Sequence, residues 1–429
     1  MITTLIAILF ILLLARVFEK LFKIPVTLSL IAISYIIDHM FPHILNIPTE
    51  IFDETLLLLL PIILLPDIMT LRFEDLKKNW LAILYFAFFA VGVSIFIASF
   101  ITPYLLPEYR FSLGMLVALF SIVMATDAIT VTSIFKNFKL PHNLKFYAES
   151  ESLFNDATAL IFFYFVGLPL LSGENLSFLS IDFILIKVLF LSTVIGLVVG
   201  FLGYLLMKLL EDPIDEFIIM YSVSLLSFLI AEHFHVAGIL SIISGVVTFK
   251  YFIDKDFERK EKEVKEDLKE LALHEKLVFR IKDKLATTKE RLEENIELSL
   301  IVGHFANAFL FILMAKLVDF ERLLTYWKEI LIAFALTTVI RFVVINIGIK
   351  LFKKPFRWGI VLSLAGTKGG LSIIMVHALP EHFEYKEMFE AIVVGIVLLS
   401  TFVYTGLLLI YLKINEEIFL KEMEEEHSV

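Results

Sequence analysis

Long apolar runs recur along this chain and predict membrane-spanning helices. A helix needs about 20 predominantly apolar residues to cross the hydrocarbon core of a bilayer, and stretches of this kind follow one another from residue 3 to residue 413. The strands of a transmembrane barrel would instead give shorter segments of alternating polarity. The pattern therefore predicts an all-α membrane protein that crosses the bilayer many times.

We count thirteen candidate spans, each an apolar run bounded by polar loops. They lie near 3–19, 25–42, 55–71, 79–102, 111–134, 145–171, 183–209, 214–232, 236–252, 298–318, 327–350, 358–379 and 388–413. Six spans and one connecting span place the start of span 8 on the side of the membrane opposite to the start of span 1. The two six-span halves are then inverted repeats, as in many secondary transporters, and the predicted fold is a 6+1+6 bundle of about thirteen transmembrane helices.

Lysine and arginine in the short loops set the predicted orientation. The loops after spans 1, 3, 5 and 11 are rich in these residues, whereas the loop at 38–54 has none. The positive-inside rule then places the N-terminus outside and the C-terminus in the cytoplasm. We expect a multi-pass protein of the cell membrane, in this case a prokaryotic inner membrane.

A charged segment at 254–297 divides the predicted membrane domain. Spans 1–9 occupy residues 1–253, spans 10–13 occupy residues 298–413, and a short acidic tail, expected to be mobile, covers residues 414–429. Within the charged segment only one heptad position is regularly apolar, whereas a two-stranded coiled coil needs two. We expect a solvated helix or helical hairpin there, with a regulatory or dimer-stabilising contact as the alternative.

The composition fits a membrane protein and excludes several kinds of chemistry. Hydrophobic residues make up 59% of the 429 residues, more than a soluble protein of this length needs. Cysteine is absent, which excludes disulfides and thiol chemistry. The formal net charge of −10 arises from charges that sit in loops, and no nucleic-acid or cofactor motif is present. We expect membrane lipid as a partner, no nucleic acid and no cofactor.

Polar residues lie deep inside two spans that hold corresponding positions in the two halves. Span 5 contains "MATDAITVTS", with Thr126 and Asp127, and span 12 contains "LAGTKGGLS", with glycines around Lys368. Glycine permits broken helical geometry, and threonine can satisfy the backbone groups that a break frees. Interrupted helices at matching positions mark a midplane binding site in inverted-repeat transporters, so we expect spans 5 and 12 to be crossing, broken helices.

Span 6 begins with the acidic stretch "ESESLFND". On a helix, Glu149, Ser152 and Asp156 share one face, and Glu151 and Asn155 share the neighbouring face. Hydroxyl, carboxylate and amide oxygens are hard ligands that suit a small hard cation. The pattern therefore predicts cation-binding chemistry on this helix.

Two more charged residues lie inside apolar spans. Asp67 follows Pro66 in span 3, and Arg341 lies in span 11. An ionised side chain at the centre of a bilayer costs about 3 kcal/mol on insertion scales, so several together imply pairing or a water-filled path. Structural ion pairing, such as Glu151 with Lys368, is therefore the alternative to an ion-binding role.

Five stretches of the chain occur in the order, and on the helices, of the motifs of one known family. They are "LPIILLPDIMTLRFEDLKKNW" at 60–80, "ATDAITV" at 125–131, "ESLFND" at 151–156, "VIRFVVI" at 339–345 and "WGIVLSLAGTKGGLS" at 358–372. Together they resemble the NhaP branch of the sodium/proton antiporters, the electroneutral branch of the cation/proton antiporter superfamily. The resemblance covers most of the chain.

The resemblance implies a homodimer in which spans 1–3 and 8–10 form the dimer interface and spans 4–6 and 11–13 form a moving core. It implies that Asp156 carries either the ion or the proton. Ser152, Asp67 and the main-chain carbonyl of Thr126 would complete the coordination of Na⁺, with Asp127 close by.

The same resemblance implies supporting roles for other residues. Asn155 would hold the crossing helices together, and Glu151 would pair with the basic residue at 368. The chain departs from the family's pattern at three positions, because Ala128 replaces a proline, Asp67 stands where glutamate is frequent, and Lys368 replaces an arginine. The first departure predicts a milder break in span 5, and the second predicts a changed ion preference.

The resemblance implies that the protein is not an enzyme but exchanges Na⁺ or Li⁺ for H⁺ by alternating access, which serves pH homeostasis. Asn155 rather than a second acid stands beside Asp156, which predicts one proton per cation. Three alternatives stay open: a potassium/proton exchanger of the same architecture, an intramembrane aspartyl protease and a channel. Such proteases have a glycine–x–glycine–aspartate pattern that this chain lacks.

Overall fold

The computed structural model describes residues 2–22, 26–41, 49–173, 178–210, 212–270, 275–315 and 318–427. Over these residues the chain forms helices and no strand, which confirms the predicted all-α class. The helices up to residue 171 are α1 (Ile2–Phe22), α2 (Val26–Met40), α3 (Thr49–Thr70), α4 (Phe73–Ile83), α5 (Ala90–Leu105), α6 (Leu113–Met124), α7 (Ala128–Phe135), α8 (His142–Phe162) and α9 (Leu168–Leu171). The helices that follow are α10 (Phe178–Met207), α11 (Pro213–His233), α12 (Gly238–Glu270), α13 (Glu275–Met314), α14 (Phe320–Thr325), α15 (Trp327–Leu351), α16 (Phe356–Leu364), α17 (Gly370–His377), α18 (Lys386–Leu399), α19 (Thr405–Ile414) and α20 (Glu416–His427).

Within the described residues, three long helices contain a short π-helical stretch. Leu84–Phe89, Phe163–Gly167 and Ser400–Tyr404 join α4 to α5, α8 to α9 and α18 to α19, with helical backbone on both sides. Such stretches are rare in α-helices and occur frequently at functional sites. The second of them directly follows α8, the helix that carries "ESESLFND".

Seven helices among the described residues are long and apolar enough to cross a membrane. They are Phe73–Leu105, His142–Leu171, Phe183–Met207, Ile214–His233, Leu292–Ile312, Trp327–Leu351 and Lys386–Ile414. Helix occupies each of the thirteen predicted spans, but spans 5 and 12 are divided into α6 and α7 and into α16 and α17, which shortens their apolar helices. The chain is therefore a multi-pass membrane protein, and the count of thirteen crossings stays a prediction.

The chain forms two compact units. The first contains Met1–Leu57, Asp75–Leu185 and Asn307–Val429, and the second contains Leu58–Glu74 and Ile186–Ala306. All six spans of the predicted moving core lie in the first unit, together with α1 and α2. The predicted boundaries at residues 253, 297 and 413 follow the order of the sequence and stay predictions.

The core of the first unit is an apolar cluster that includes residues of α5, α6 and α15. Ile95, Val117 and Phe120 are fully buried, and they belong to one cluster with Ile340 of α15. Burying these side chains fixes α6 against its neighbours, and α6 leads directly into the polar stretch "ATD" at residues 125–127.

In the second unit, α10 packs closely against α12 through glycine. A Cβ atom at Gly200 would collide with the carbonyl oxygen of Gly245. A Cβ atom at Gly196 would collide with Oγ of Ser244. Small residues let the backbones of membrane helices approach closely. This contact therefore requires glycine, which has no side chain, at positions 196 and 200 of α10.

Helix continues into the charged segment at 254–297. α12 extends to Glu270, and α13 begins at Glu275, so both flanking apolar segments run on as helix. The side chains at 263–291 lie outside the described residues. The predicted regulatory or dimer-stabilising contact of this segment therefore stays a prediction.

The expectation of a mobile acidic tail is wrong for residues 416–427. They form α20, and Phe419 is fully buried. The carboxylates of Glu422 and Glu426 accept hydrogen bonds from residues of α16 and α8. A buried aromatic ring and paired acids offset the conformational entropy that is lost when the segment becomes ordered.

We expect Gly200→Ala to lower the apparent melting temperature of the purified protein. The added methyl group would collide with the backbone of α12, and overpacking of this kind costs about 1–3 kcal/mol. Gly406→Ala is the matched control, because no atom lies within 4 Å of a Cβ at that position. The melting temperature can be followed by thermal unfolding in detergent, and an equal response of both variants would contradict the close α10–α12 contact.

Candidate ion-binding site

Two interrupted helices meet at their non-helical stretches. Residues 125–127 separate α6 from α7, and residues 365–369 separate α16 from α17. The backbone N–H of Asp127 donates to the carbonyl of Thr367 at 2.7 Å, and Oγ1 of Thr367 donates to the carbonyl of Asp127 at 3.3 Å. Each stretch thus supplies partners for backbone groups that are free in the other. The predicted crossing of spans 5 and 12 is confirmed.

The crossing is close because residue 369 is glycine. A Cβ atom at Gly369 would lie 2.7 Å from the Cβ of Asp127, so a larger residue would push the two stretches apart. Span 5 is interrupted although Ala128 replaces the proline of the family's motif. The break does not need proline here, since residues 365–369 provide hydrogen-bond partners for the interrupted backbone.

The carboxylate of Asp156 lies against the first interruption. The backbone N–H of Thr126 donates to Oδ1 of Asp156 at 2.9 Å. Oγ1 of Thr126 lies 3.0 Å from Oγ of Ser152. Ser152 precedes Asp156 by one turn on α8. Both hydroxyl-bearing residues are buried. The structure therefore brings together Asp156, Ser152 and Thr126 as a group of hard oxygen atoms, and hard oxygens are the ligands that a small hard cation favours.

Asp127 lies immediately before α7 and is 7% exposed. Oγ1 of Thr130 donates to Oδ2 of Asp127 at 2.5 Å. Asp127 occupies the position at which a carboxylate stabilises a helix N-terminus, so its contacts include the start of α7 as well as the crossing.

Asn155 joins α8 to the broken end of α6. Its side-chain amide donates to the carbonyl of Met124 at 3.0 Å. It also lies within hydrogen-bond distance of Oγ1 of Thr126, at 3.2 Å, and of Oε1 of Glu151, at 3.4 Å. The carbonyl of Met124 is one of those that a helix end leaves without an intrahelical partner, so this amide satisfies a group that the break exposes.

The predicted pairing of Glu151 with Lys368 is wrong, because the carboxylate of Glu151 pairs with Arg341. The two terminal nitrogens of Arg341 donate to Oε1 and Oε2 of Glu151 at 3.0 and 2.9 Å, and both side chains are buried. The planar guanidinium matches a carboxylate with two parallel hydrogen bonds, which an ammonium group cannot do. Arg341 also donates to the carbonyls of Leu362 and Ser363 near the end of α16.

Lys368 instead reaches the broken end of α6. Its Nζ donates to the carbonyl of Met124 at 3.3 Å, and its backbone N–H donates to Oγ of Ser400 at 3.0 Å. A cation is favoured at a helix C-terminus, where the carbonyl groups carry a partial negative charge. Lys368 is 3% exposed, so its charge is stabilised largely by the protein.

Asp67, the third predicted ligand side chain, lies on α3 in the second unit. It is partly exposed and follows Pro66, and Oγ1 of Thr70 donates to its backbone carbonyl at 2.7 Å. Its share in coordination stays a prediction, as does that of the main-chain carbonyl of Thr126.

Three polar residues of the site were missed in the sequence. Thr367, Ser372 and Ser400 are fully or almost fully buried. Oγ of Ser372 donates to the carbonyl of Ile122 on α6 at 2.9 Å. A signal existed, because hydroxyl residues inside apolar spans often bond to backbone, but the sequence does not reveal which carbonyl each of them meets.

Comparisons with known proteins identify relatives of this chain. Residues 5–414 match the family described as sodium/hydrogen exchanger, transmembrane. The Na(+)/H(+) antiporter NhaH of Halobacillus aidingensis is 25% identical over 366 residues, which are 83% of this chain and 81% of that protein. The sodium, potassium, lithium and rubidium/H(+) antiporter of Bacillus pumilus is 28% identical over 181 residues, which are 41% of this chain and 26% of that protein.

A solved structure has the same fold. The sodium proton antiporter MjNhaP1 from Methanocaldococcus jannaschii at pH 8 aligns with a TM-score of 0.70 and 16% sequence identity. The alignment covers 98% of this chain and 99% of that chain. The likeness extends over the full set of helices, so the fold of the two chains is shared.

We expect Glu151→Gln to destabilise the protein by about 3–5 kcal/mol, because it leaves the buried guanidinium of Arg341 without its counter-charge. Arg341→Lys should also destabilise it, since the second hydrogen bond is lost. Glu108→Gln serves as control, because Glu108 forms an exposed pair with Lys328 and such pairs contribute little. Thermal unfolding in detergent measures the three variants, and a Glu151→Gln protein as stable as the control would contradict a structural role of the pair.

Proposed function

We propose that this protein, whose chain belongs to the sodium/hydrogen exchanger family, exchanges one Na⁺ or Li⁺ for one H⁺ and moves no net charge. The cation and the proton bind to Asp156 in turn and never together. The carrying observation is the position of the Asp156 carboxylate at a helix break, where one oxygen accepts from the Thr126 N–H and the hydroxyls of Thr126 and Ser152 lie alongside.

Charge balance at the crossing supports a one-to-one exchange. The carboxylate of Glu151 and the guanidinium of Arg341 neutralise each other in a bidentate pair. The other charged side chains with described hydrogen bonds to residues 124–130 are Asp127, Asp156 and Lys368, which in their ordinary charged forms sum to one negative charge. One monovalent cation or one proton then makes the site neutral.

Neutralisation of the site explains why the core crosses the membrane only when a cation or a proton is bound. Charges are costly in a medium of low dielectric, so the core moves across the membrane at low cost only when Asp156 holds a cation or a proton. An empty, negatively charged site moves slowly. Binding on one side and release on the other then convert competition for one carboxylate into antiport.

The choice of cation rests on the oxygen ligands and stays open between small alkali ions. The related NhaH protein is named for Na⁺, whereas the Bacillus pumilus protein is named for sodium, potassium, lithium and rubidium. Potassium/proton exchange by the same architecture is therefore the second candidate, and a ranking of the cations decides between them.

Several further properties belong to this proposal. The protein is a homodimer in a prokaryotic cell membrane. Its N-terminus lies outside and its C-terminus in the cytoplasm, because the basic residues cluster in the loops after spans 1, 3, 5 and 11. Transport requires no cofactor. Spans 1–3 and 8–10 form the dimer interface, as the family resemblance implies.

We expect Asp156→Asn to abolish cation-driven proton movement, because an amide takes up no proton in the working pH range and carries no negative charge that a cation or a proton could neutralise. The purified protein is reconstituted into liposomes with an internal pH dye, and Na⁺, Li⁺ and K⁺ are added in turn. Valinomycin with K⁺ clamps the voltage in parallel samples with Na⁺ and Li⁺. The unaltered chain should move protons when Na⁺ or Li⁺ is added. For each cation the response with the voltage clamp should equal the response without it.

Glu108→Gln is the control for this experiment, since it removes a carboxylate at an exposed loop. Exchange at the normal rate by Asp156→Asn would show that another group carries the ion. A response to K⁺ alone would favour the second candidate. A current in place of electroneutral exchange would indicate a channel, and peptide cleavage without ion flux would indicate the protease.

We expect Asp67→Glu to change the ranking of Li⁺, Na⁺ and K⁺, because one additional methylene group shifts a carboxylate that is predicted to coordinate the cation. Half-saturating concentrations for each cation, measured in the same liposomes, give the ranking. Asp256→Glu is the matched control, as it makes the same change at a residue paired with Arg259 and Lys260. An unchanged ranking in Asp67→Glu would remove Asp67 from the coordination shell.

A further inference from the structure

The last described helix, α20, places a carboxylate on the first turn of α8. The backbone N–H of His142 donates to Oε2 of Glu426 at 2.6 Å, and the backbone N–H of Asn143 donates to Oε1 at 3.2 Å. The side-chain amide of Asn143 also donates to Oε1. The same carboxylate thus satisfies two of the backbone donors that the start of α8 leaves without an intrahelical partner.

α8 needs this outside partner because of its own sequence. Its N-cap residue is Pro141, which makes no side-chain capping bond, and proline has no side-chain oxygen to offer. A carboxylate near a helix N-terminus is additionally stabilised by the helix dipole. Glu426 therefore takes the place of a capping residue, although it comes from a helix 284 positions away from His142.

The neighbouring acid on α20 contacts the first turn of α16 through side chains. Oε1 of Glu422 pairs with Nε of Arg357 at 2.9 Å, and Oε2 accepts from the indole N–H of Trp358 at 3.0 Å. α16 also has a proline N-cap without a side-chain capping bond, at Pro355. Two acids one helical turn apart on α20 thus hold two helices that lack caps of their own.

Other contacts bind the three helices at this end. Phe419 of α20 is fully buried. The ammonium group of Lys354 lies 5.5 Å from the ring centroid of Tyr147 on α8 and 5.4 Å from that of Trp358 on α16. Nε2 of His142 lies 2.9 Å from Oδ2 of Asp75 on α4. All of these residues belong to the first unit, so α20 is part of the same body as the crossing.

The two helices held by α20 are the ones that lead to the ion site. Asp156 follows His142 on α8 by fourteen residues, or about 21 Å at the rise of an α-helix. α16 leads directly into residues 365–369, which carry Lys368 and the partner of the Asp127 N–H. A helix transmits a displacement of its first turn along its axis, so the relative position of the two N-termini affects how the ligand set lies against the crossing.

We propose that α20 positions the ion site: Glu426 and Glu422 hold the first turns of α8 and α16 in fixed relation, and this relation sets the affinity of the site for its cation. The inference rests on the proposed exchange function. Glu422 and Glu426 act through the helices and touch neither cation nor proton, so their loss should change the half-saturating cation concentration more than the maximal rate.

The test uses the full-length chain with Glu422→Gln and Glu426→Gln combined. Hydrogen exchange of the amides of His142 and Asn143 in lipid nanodiscs should become at least tenfold faster, because they lose the carboxylate that accepts from them. The amides at 356–359 should also exchange faster, because the first turn of α16 loses the side-chain contacts of Arg357 and Trp358 with Glu422. In liposomes the half-saturating Na⁺ concentration should rise at least threefold, while the maximal rate changes less than twofold. Glu422→Asp combined with Glu426→Asp, which keeps both charges, should restore part of the affinity.

The matched control combines Glu417→Gln with Glu424→Gln, which removes two exposed charges from the same helix. It should leave both readouts unchanged. Faster exchange with unaltered Na⁺ affinity would overturn the proposal and make α20 a purely structural cap. Unaltered hydrogen exchange would show that the contact does not form and would also overturn it. A lack of exchange by the unaltered chain would instead overturn the proposed function, and the hydrogen-exchange result would still report on the contact itself.

Discussion

The requirement that backbone polar groups be satisfied inside the membrane determines the form of the site. An interrupted helix frees N–H and carbonyl groups that water cannot reach in the hydrocarbon core. The hydrogen bond from the Asp127 N–H to the Thr367 carbonyl satisfies one backbone group of each interruption. The two breaks therefore stabilise each other, and the meeting of the two stretches places the proposed ion ligands around Thr126.

Buried charge imposes a second constraint, and the chain meets it by giving each charge a different kind of partner. Glu151 has a guanidinium, Lys368 has a helix C-terminus, Asp127 has a hydroxyl, and Asp156 has a backbone N–H. Since the strong pair of Glu151 with Arg341 is complete in itself, its net charge is zero. Among the described residues, Asp156 accepts from the backbone N–H of Thr126 and has hydroxyls nearby, an arrangement that suits the proposed role of binding and releasing an ion.

Much of this arrangement was predicted from the sequence, and the rest has identifiable physical reasons. Apolar runs placed the helices, and the motifs around Asp127 and Lys368 placed the crossing. The partner of Glu151 was missed because a sequence shows which charges are buried but not which of two cations has the better geometry. Docking of α20 was missed because its acids resemble a solvated tail, and their partners on α8 and α16 lie far away in sequence.

The carbonyl of Met124 joins the two halves of the chain. An oxygen with two lone pairs accepts from Asn155 in the first half and from Lys368 in the second. Because its accepting capacity is then filled, a substitution at position 155 alters the environment of position 368, and the reverse holds equally. The two halves are therefore not free to diverge separately at these positions: natural variation at one of them should be accompanied by variation at the other.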